Sequence, residues 1–318
     1  MRTWHRGGRI GKVIILRLII LMPSLLTLSC GPTYHKENIE SSVEKLISKE
    51  LGAESHSQLV GRTLYVSLPI HGIMTDGLEI SKNVIEQVEN AMIALSRVAL
   101  SSDADVQFIV IEALDVQWGV RMRILRKMQD LKDLFYWRIS KPDFDERLVL
   151  NMDRAPELEV SSQTSTPSRA AKAKAPLKNL WHDISLQEYM GELIASRLNS
   201  GAQSNPILNL LLGIDKITPK LDLDTGELEL IVSGAAMNES PSAISLNLLK
   251  SSIVEQTAMV EKKYLTRSAN NENKIPLEER LKTFAWIRTI SVLTQDGEEV
   301  LNLKAGDWRN AEPVSMLK

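Results

Sequence analysis

Helices alternating with short strands, in two runs separated by a polar stretch, predict an α/β (α+β) protein. It has two small domains, each with amphipathic helices packed on a short, partly antiparallel sheet. Three observations carry this. Val84, Ile85, Val88, Ala91, Met92, Leu95, Val98 and Ala99 recur at the three-four spacing of one helix face. Leu64, Val66 and Leu68 alternate with Thr63, Tyr65 and Ser67, the period of a strand. Residues 161–176 hold no branched aliphatic and no aromatic side chain, so they cannot bury enough apolar surface to offset the entropy of ordering.

In chain order, Ile39, Val43, Leu46, Ile47 and Leu51 define a first amphipathic helix that stops at Gly52. Residues 59–69 read as one strand ended by Pro69, and residues 71–77 as the loop to the second helix. Residues 106–114 form a strand rich in branched and aromatic side chains. A third helix is expected over residues 120–139, with Met122, Leu125, Met128, Leu131, Leu134 and Phe135 inward and Arg121, Arg123, Arg126, Lys127 and Lys132 outward. The first domain then covers residues 37–156, after a tether at 30–36, and a flexible linker covers 157–180.

The second domain, 181–318, opens with a helix over 183–198, capped by Asp183 or Ser185 and striped by Leu186, Tyr189, Met190, Leu193, Ile194 and Leu198. An apolar run at 207–214 is too short for a membrane. A hairpin over 221–232 turns at Asp224-Thr225-Gly226, helices follow at 242–264 and 277–286, and a second hairpin over 287–303 turns at Asp296-Gly297. The recurring order of helix and strand suggests duplication of one unit.

The amino-terminal segment decides the compartment. Residues 1–12 carry Arg2, Arg6, Arg9 and Lys12 with no acid, residues 13–28 are mainly apolar, and Ser29 and Cys30 follow. A basic lead, a short apolar core and a small exit residue make a secretory signal over residues 1–29. Arg17 leaves an apolar run too short for the roughly 20 residues of a spanning helix, and Pro23 discourages a helix there. Cys30 is the only cysteine, so it makes no internal disulfide.

Leu26-Thr27-Leu28-Ser29-Cys30 resembles the lipobox of bacterial lipoproteins, with Thr27 where that family usually has leucine. The resemblance covers the leader only. It implies cleavage before Cys30 and attachment of lipid, palmitate among its acyl chains, to Cys30. Gly31 stands where some bacteria place the aspartate that retains lipoproteins at the inner membrane, which points to the outer membrane, facing the periplasm. An ordinary cleaved signal and an uncleaved anchor are the alternatives.

The chain has 38 basic and 40 acidic residues, and the leader holds five of the basic ones and no acid, leaving 33 against 40, or net −7. That balance argues against nucleic acid as a partner. His71-Gly72 with Asp76 and Glu79 could form a metal site or an acid-base pair, but two glycines in seven residues fit a turn and no second histidine stands at ligand spacing, so the turn is preferred. Asp224-Thr225-Gly226 resembles the aspartic-protease triplet, yet Glu227 follows where that family has a small residue and no second triplet exists. His35, His56 and His182 are scattered. The expected helix face of Arg121, Arg123, Arg126, Lys127 and Lys132 could meet phospholipid headgroups or an acidic partner, but Asp130 and Asp133 interleave with it, so a solvated face is preferred. Phe135, Tyr136 and Trp137 form the one aromatic cluster, which could line a partner groove but in a chain this poor in aromatics is read as core filling.

The sequence therefore assigns no catalytic, cofactor-binding or metal-ligating residue and no cofactor, and leans away from an enzyme. The leading expectation is a lipid-anchored envelope protein that binds or scaffolds. Its partners are the membrane, through lipid on Cys30, and other envelope proteins. An anchored hydrolase and a solute- or polymer-binding lipoprotein with an interdomain cleft are the alternatives. Acidic residues converging with a histidine in a deep pocket would favour the hydrolase, and an exposed apolar patch the scaffold.

Overall fold

A computed structural model describes residues 33–75, 80–115, 119–154, 181–204, 213–234, 241–265 and 287–310. The first half runs α1 (Ile39–Leu51), β1 (His56–Val60), β2 (Thr63–Pro69), α2 (Lys82–Leu100), β3 (Phe108–Asp115), β4 (Val120–Lys127), α3 (Met128–Phe135), α4 (Lys141–Asp145) and β5 (Val149–Arg154). The second runs α5 (Leu186–Ser204), β6 (Lys216–Asp222), β7 (Glu227–Ser233), α6 (Ala243–Leu265), β8 (Thr289–Thr294), β9 (Glu299–Lys304) and α7 (Ala305–Arg309). The protein is α/β (α+β), with two small, partly antiparallel sheets.

One topological plan is used twice. The sheets have the orders β1-β2-β3-β4-β5 and β6-β7-β8-β9. In each, a helix precedes an antiparallel hairpin, a second helix crosses over to a parallel strand, and another hairpin follows. The parallel pairs are β2 with β3 and β7 with β8. The crossover helices α2 and α6 supply the long connection that a parallel pair needs. The short helix α7 follows β9 as α3 follows β4, and among the described residues α4 and β5 have no counterpart in the second half.

Two expectations are corrected. Residues 59–69 are not one strand: Gly61, at φ +58°, turns the chain into the hairpin of β1 and β2. Residues 120–139 are not one helix, because 120–127 form β4, paired with both β3 and β5, and only Met128–Phe135 is helical. Both faces of β4 are covered, so Ile124, Leu125 and Arg126 are all buried in succession. Val120, Met122 and Ile124 do alternate with Arg121 and Arg123 at the period of a strand, but Met122, Leu125 and Met128 also fit a helical stripe that runs on into α3, and Leu125 and Arg126 break the alternation. The expected linker 157–180, residues 207–212 of the apolar run and the expected helix 277–286 lie outside the described residues.

The first sheet is buried on both faces. Leu64, Val66, Ile109 and Ile111 pack with α1 and α2 through Ile39, Val43, Ile47, Val88 and Leu95. On the opposite face Tyr65, Phe108, Val110, Leu125 and Val149 join Tyr189, Leu193 and Ile194 of α5 and Leu228, Leu230, Ile290 and Val292 of the second sheet in one continuous core. The halves share that core and do not merely touch.

Polar clasps fix the junction. Asp183 accepts hydrogen bonds from the Arg62 N–H at 2.8 Å and the Thr63 hydroxyl at 3.3 Å, and the Thr63 oxygen accepts from the Ile184 N–H at 2.9 Å. A Cβ on Gly61 would stand 2.4 Å from the Asp183 carboxyl carbon, so this turn demands glycine for space as well as for φ. Deeper in, buried Arg147 pairs with buried Asp130 at 3.0 Å, and Asp130 accepts from the Tyr264 hydroxyl at 2.9 Å. Tyr189 donates to the Arg147 carbonyl at 2.6 Å, and its hydroxyl lies 2.8 Å from that of Tyr264.

Helices also cover strand edges. Glu44 and Glu40 of α1 accept the outward N–H groups of Ser57 and Leu59 on β1. α5 serves both sheets, since Ser196 bonds to the N–H and C=O of Leu150 on β5 and Asn199 to those of Ile217 on β6. Pro219, two residues on, has no N–H to offer. Edges blunted in this way do not recruit foreign strands.

Candidate functional site

The two halves leave a polar cleft where α5 crosses from one sheet to the other. Its larger wall is the first sheet, from which Glu112 (β3), Arg121 and Arg123 (β4), and Asn151 and Asp153 (β5) project side by side. Register explains the grouping: Glu112 lies opposite Arg123, which lies opposite Asn151, and Arg121 lies opposite Asp153. The facing wall is Glu192 of α5 with Lys216, Ile217, Thr218 and Pro219 of β6, and Tyr65 and His182 close one end. The cleft holds about 260 Å³. A second hollow of about 340 Å³ adjoins it at Glu192 and Pro219 and extends along Glu188, Lys220, Leu221 and Leu223. Gly191 lets α5 lie close to the second sheet there, since a methyl would stand 3.0 Å from Leu228.

The charges are arranged in pairs. Arg121 grips Asp153 with two bonds, Nε at 3.0 Å and Nη2 at 3.1 Å. Glu192 takes Arg123 at 3.3 Å on one oxygen and the Asn151 amide at 2.7 Å on the other. Lys216 stands 4.0 Å from Asp153. His182 contacts Glu188, the capping-box acid of α5, which receives the Ser185 N–H while its own N–H donates to Ser185 Oγ at 3.1 Å.

Glu112 is the exception in character. It is buried and accepts from Trp181 Nε1 at 2.9 Å. Burial raises its pKa above the usual carboxylate range, against the Trp181 bond and the nearby Arg123 and Arg121. Trp181 lies in a stack between His56 and Tyr65, with ring centroids 5.6 Å and 5.1 Å away. Burial pushes the Tyr65 hydroxyl up to about 12, and that group donates to the His182 carbonyl at 2.7 Å.

The sequence's other candidates fall elsewhere. Cys30, Asp76 and Glu79 lie outside the described residues. His71 and Gly72 form a turn held by buried Asp115, which accepts the N–H groups of Gly72 and Ile73 at 2.8 Å and 3.0 Å. Asp224-Thr225-Gly226 is the turn between β6 and β7, where Asp222 accepts the N–H of Asp224 at 2.9 Å and of Thr225 at 3.3 Å, bonds that hold the Asp222 pKa below its usual value. His35 stands 3.3 Å from Asp103, and His56 is 3.3 Å from Glu44. Among the described residues no three of His, Cys, Asp and Glu gather as metal ligands, and no helix is long and apolar enough to cross a membrane.

The proposed basic helix face is replaced by a strand with two fates: Arg121 and Arg123 enter the cleft, while buried Arg126 lies on the other face with its guanidinium 3.7 Å from the Phe144 ring centroid. The aromatic cluster is not core, because Phe135, Tyr136 and Trp137 are exposed. Glu112, Asn151, Asp153, Glu192 and Lys216 were not singled out from the sequence. The signal for Glu112 was there: an acid in the middle of an otherwise apolar strand is costly to bury and needs a reason. Compared with family models, curated proteins and solved structures, the chain matches none.

Proposed function

We propose that the chain is a cell-envelope protein, tethered by lipid on Cys30 at the periplasmic face of the outer membrane, and that it works by binding, as an assembly or scaffolding component. The observation that supports the binding role most directly is the cleft along α5, whose charged side chains already bond to one another. Preformed donors and acceptors spaced along a groove suit recognition of an extended polar segment, whose own polar groups can be exchanged for the pairs.

Cross-linking in intact envelopes, followed by capture of the chain, tests this. Reversing the charge on the half-exposed rim with Lys216→Glu is expected to deplete at least one envelope protein that wild type recovers. Recovery of no envelope protein by wild type, or an unchanged set with the variant, would contradict it.

A second reading, an anchored hydrolase, draws on the gathering of Glu112, Asp153 and Glu192 with His182 around one cleft. Glu112, whose raised pKa favours the protonated form, is its candidate general acid. That reading requires turnover of an ester, amide or glycoside that Glu112→Gln abolishes.

A further inference from the structure

We propose that Phe135, Tyr136 and Trp137 form a tip that inserts into the lipid–water interface of the membrane holding the chain, an inference that rests on the tether reading. The three side chains are 62%, 68% and 91% exposed, an unusual outlay of aromatic surface in a chain with 5% aromatic residues. Single exposed apolar residues are ordinary, but three adjacent aromatics are not.

Trp137 is also the one non-glycine residue with positive φ among the described residues, at +56°. The reason is local. α3 ends in a Schellman turn, with the Arg138 N–H reaching back to the Asp133 carbonyl at 2.7 Å and the Trp137 N–H to that of Leu134 at 3.0 Å. Trp137 occupies the left-handed position that glycine takes most easily, and bulky residues are strained there. Its ring gains almost no packing in return. A side chain that neither suits its backbone nor contributes to the core is retained for something outside the fold.

Position and chemistry indicate the occupant. Thr33 and Tyr34 bond to Ser101 O, and Asp103 N–H bonds to Tyr34 O, so the chain joins the body beside the 101–107 segment. The same segment touches α3, since the Met128 N–H donates to Gln107 O at 2.8 Å. The connection carrying the tip therefore caps the end of the first sheet from which the tether departs. Four residue steps from Tyr34 to Cys30 reach at most about 14 Å, and eight-residue α3 rises about 12 Å. A lipid on Cys30 holds this end against the bilayer. Tryptophan and tyrosine are the side chains that settle at membrane interfaces, apolar body inward and polar edge outward. Lys132, Arg138 and Lys141 flank the tip in sequence and are exposed, the last two paired with Asp133 and Asp145.

The test uses the full chain reconstituted into vesicles of phosphatidylcholine and phosphatidylglycerol, with and without brominated acyl chains that quench tryptophan in the bilayer. Flotation reads the tether and quenching reads the tip. Wild type is expected to float and to show a lipid-quenched emission component of about one tryptophan, absent in Trp137→Phe. Trp137→Gly is expected to melt no lower than wild type and to lose the same component. Equal quenching in floating wild type and Trp137→Phe overturns the tip while leaving the tether, as does capture of the tip by a protein with no lipid quenching. Flotation and quenching retained in Cys30→Ser overturn the tether and leave the tip; no flotation of wild type overturns both. A lower melting temperature for Trp137→Gly overturns the argument from strain.

Discussion

Glu112 shows how one side chain joins fold to chemistry. It is buried between Trp181 and the two arginines of β4, and its folded-state pKa is raised because burial penalises the charged form. For an acid whose pKa is raised on folding, the native state binds its proton more tightly than the unfolded chain does. Its contribution is therefore most favourable below the unfolded value of 4.5 and is lost as pH rises toward the folded value. Glu112→Gln keeps an acceptor for Trp181 and removes the titration. Urea denaturation at pH 4 and pH 8 should show the variant gaining stability on wild type as pH increases, and a stability difference, variant minus wild type, that stays constant or falls would refute the assignment. Residues of this kind were partly legible. Glu112 stands out inside its apolar strand, whereas Glu192 and Asp153 read as ordinary surface acids, because only the tertiary arrangement places them opposite Arg123 and Arg121.

At the scale of elements, strongly periodic segments were legible and β4 was not. α1, α2, α5 and α6 and the two later hairpins follow from spacing, caps and turn residues, since each signal is local to its own element. In 120–127 the strand alternation of Val120, Met122 and Ile124 competes with a helical spacing of Met122, Leu125 and Met128 that continues into α3. The choice is made by neighbours, β3 on one side and β5 on the other, that are distant in sequence. β5 itself went unassigned for the same reason, because its edge is completed by Ser196 of α5. α5 is the element that holds the arrangement, covering one edge of each sheet within a single turn of helix. Asn199→Ala should cost about 1–3 kcal/mol by stranding both backbone groups of Ile217, and should raise aggregation by freeing the β6 edge. Denaturation midpoints and light scattering check this. An unchanged midpoint with no aggregation would mean that the clamp is dispensable.

For the whole molecule, the repeated plan and the shared core have opposite implications. Duplicated topology suggests two independent domains, whereas a core running from Phe108 through Leu193 to Leu230 couples them. The coupling is expected to win, because separating the halves would expose that core and break the Asp130–Arg147–Tyr264 network. Thermal unfolding is therefore expected to be one transition, coincident for backbone and tertiary probes. Leu193→Ala, at the middle of the core, should cost about 2–5 kcal/mol of stability without splitting the transition. Two separable transitions would show that the halves stand alone. This coupled body, with the proposed tip at its tethered end, gives the cleft a fixed orientation toward the membrane in the proposed arrangement.

Intact mass spectrometry of the chain isolated from its native envelope decides whether Cys30 carries the proposed lipid. The expected species is a polypeptide that begins at Cys30 and carries the added mass of acyl chains, which Cys30→Ser abolishes. A chain that retains residues 1–29 and a free thiol at Cys30 would contradict it.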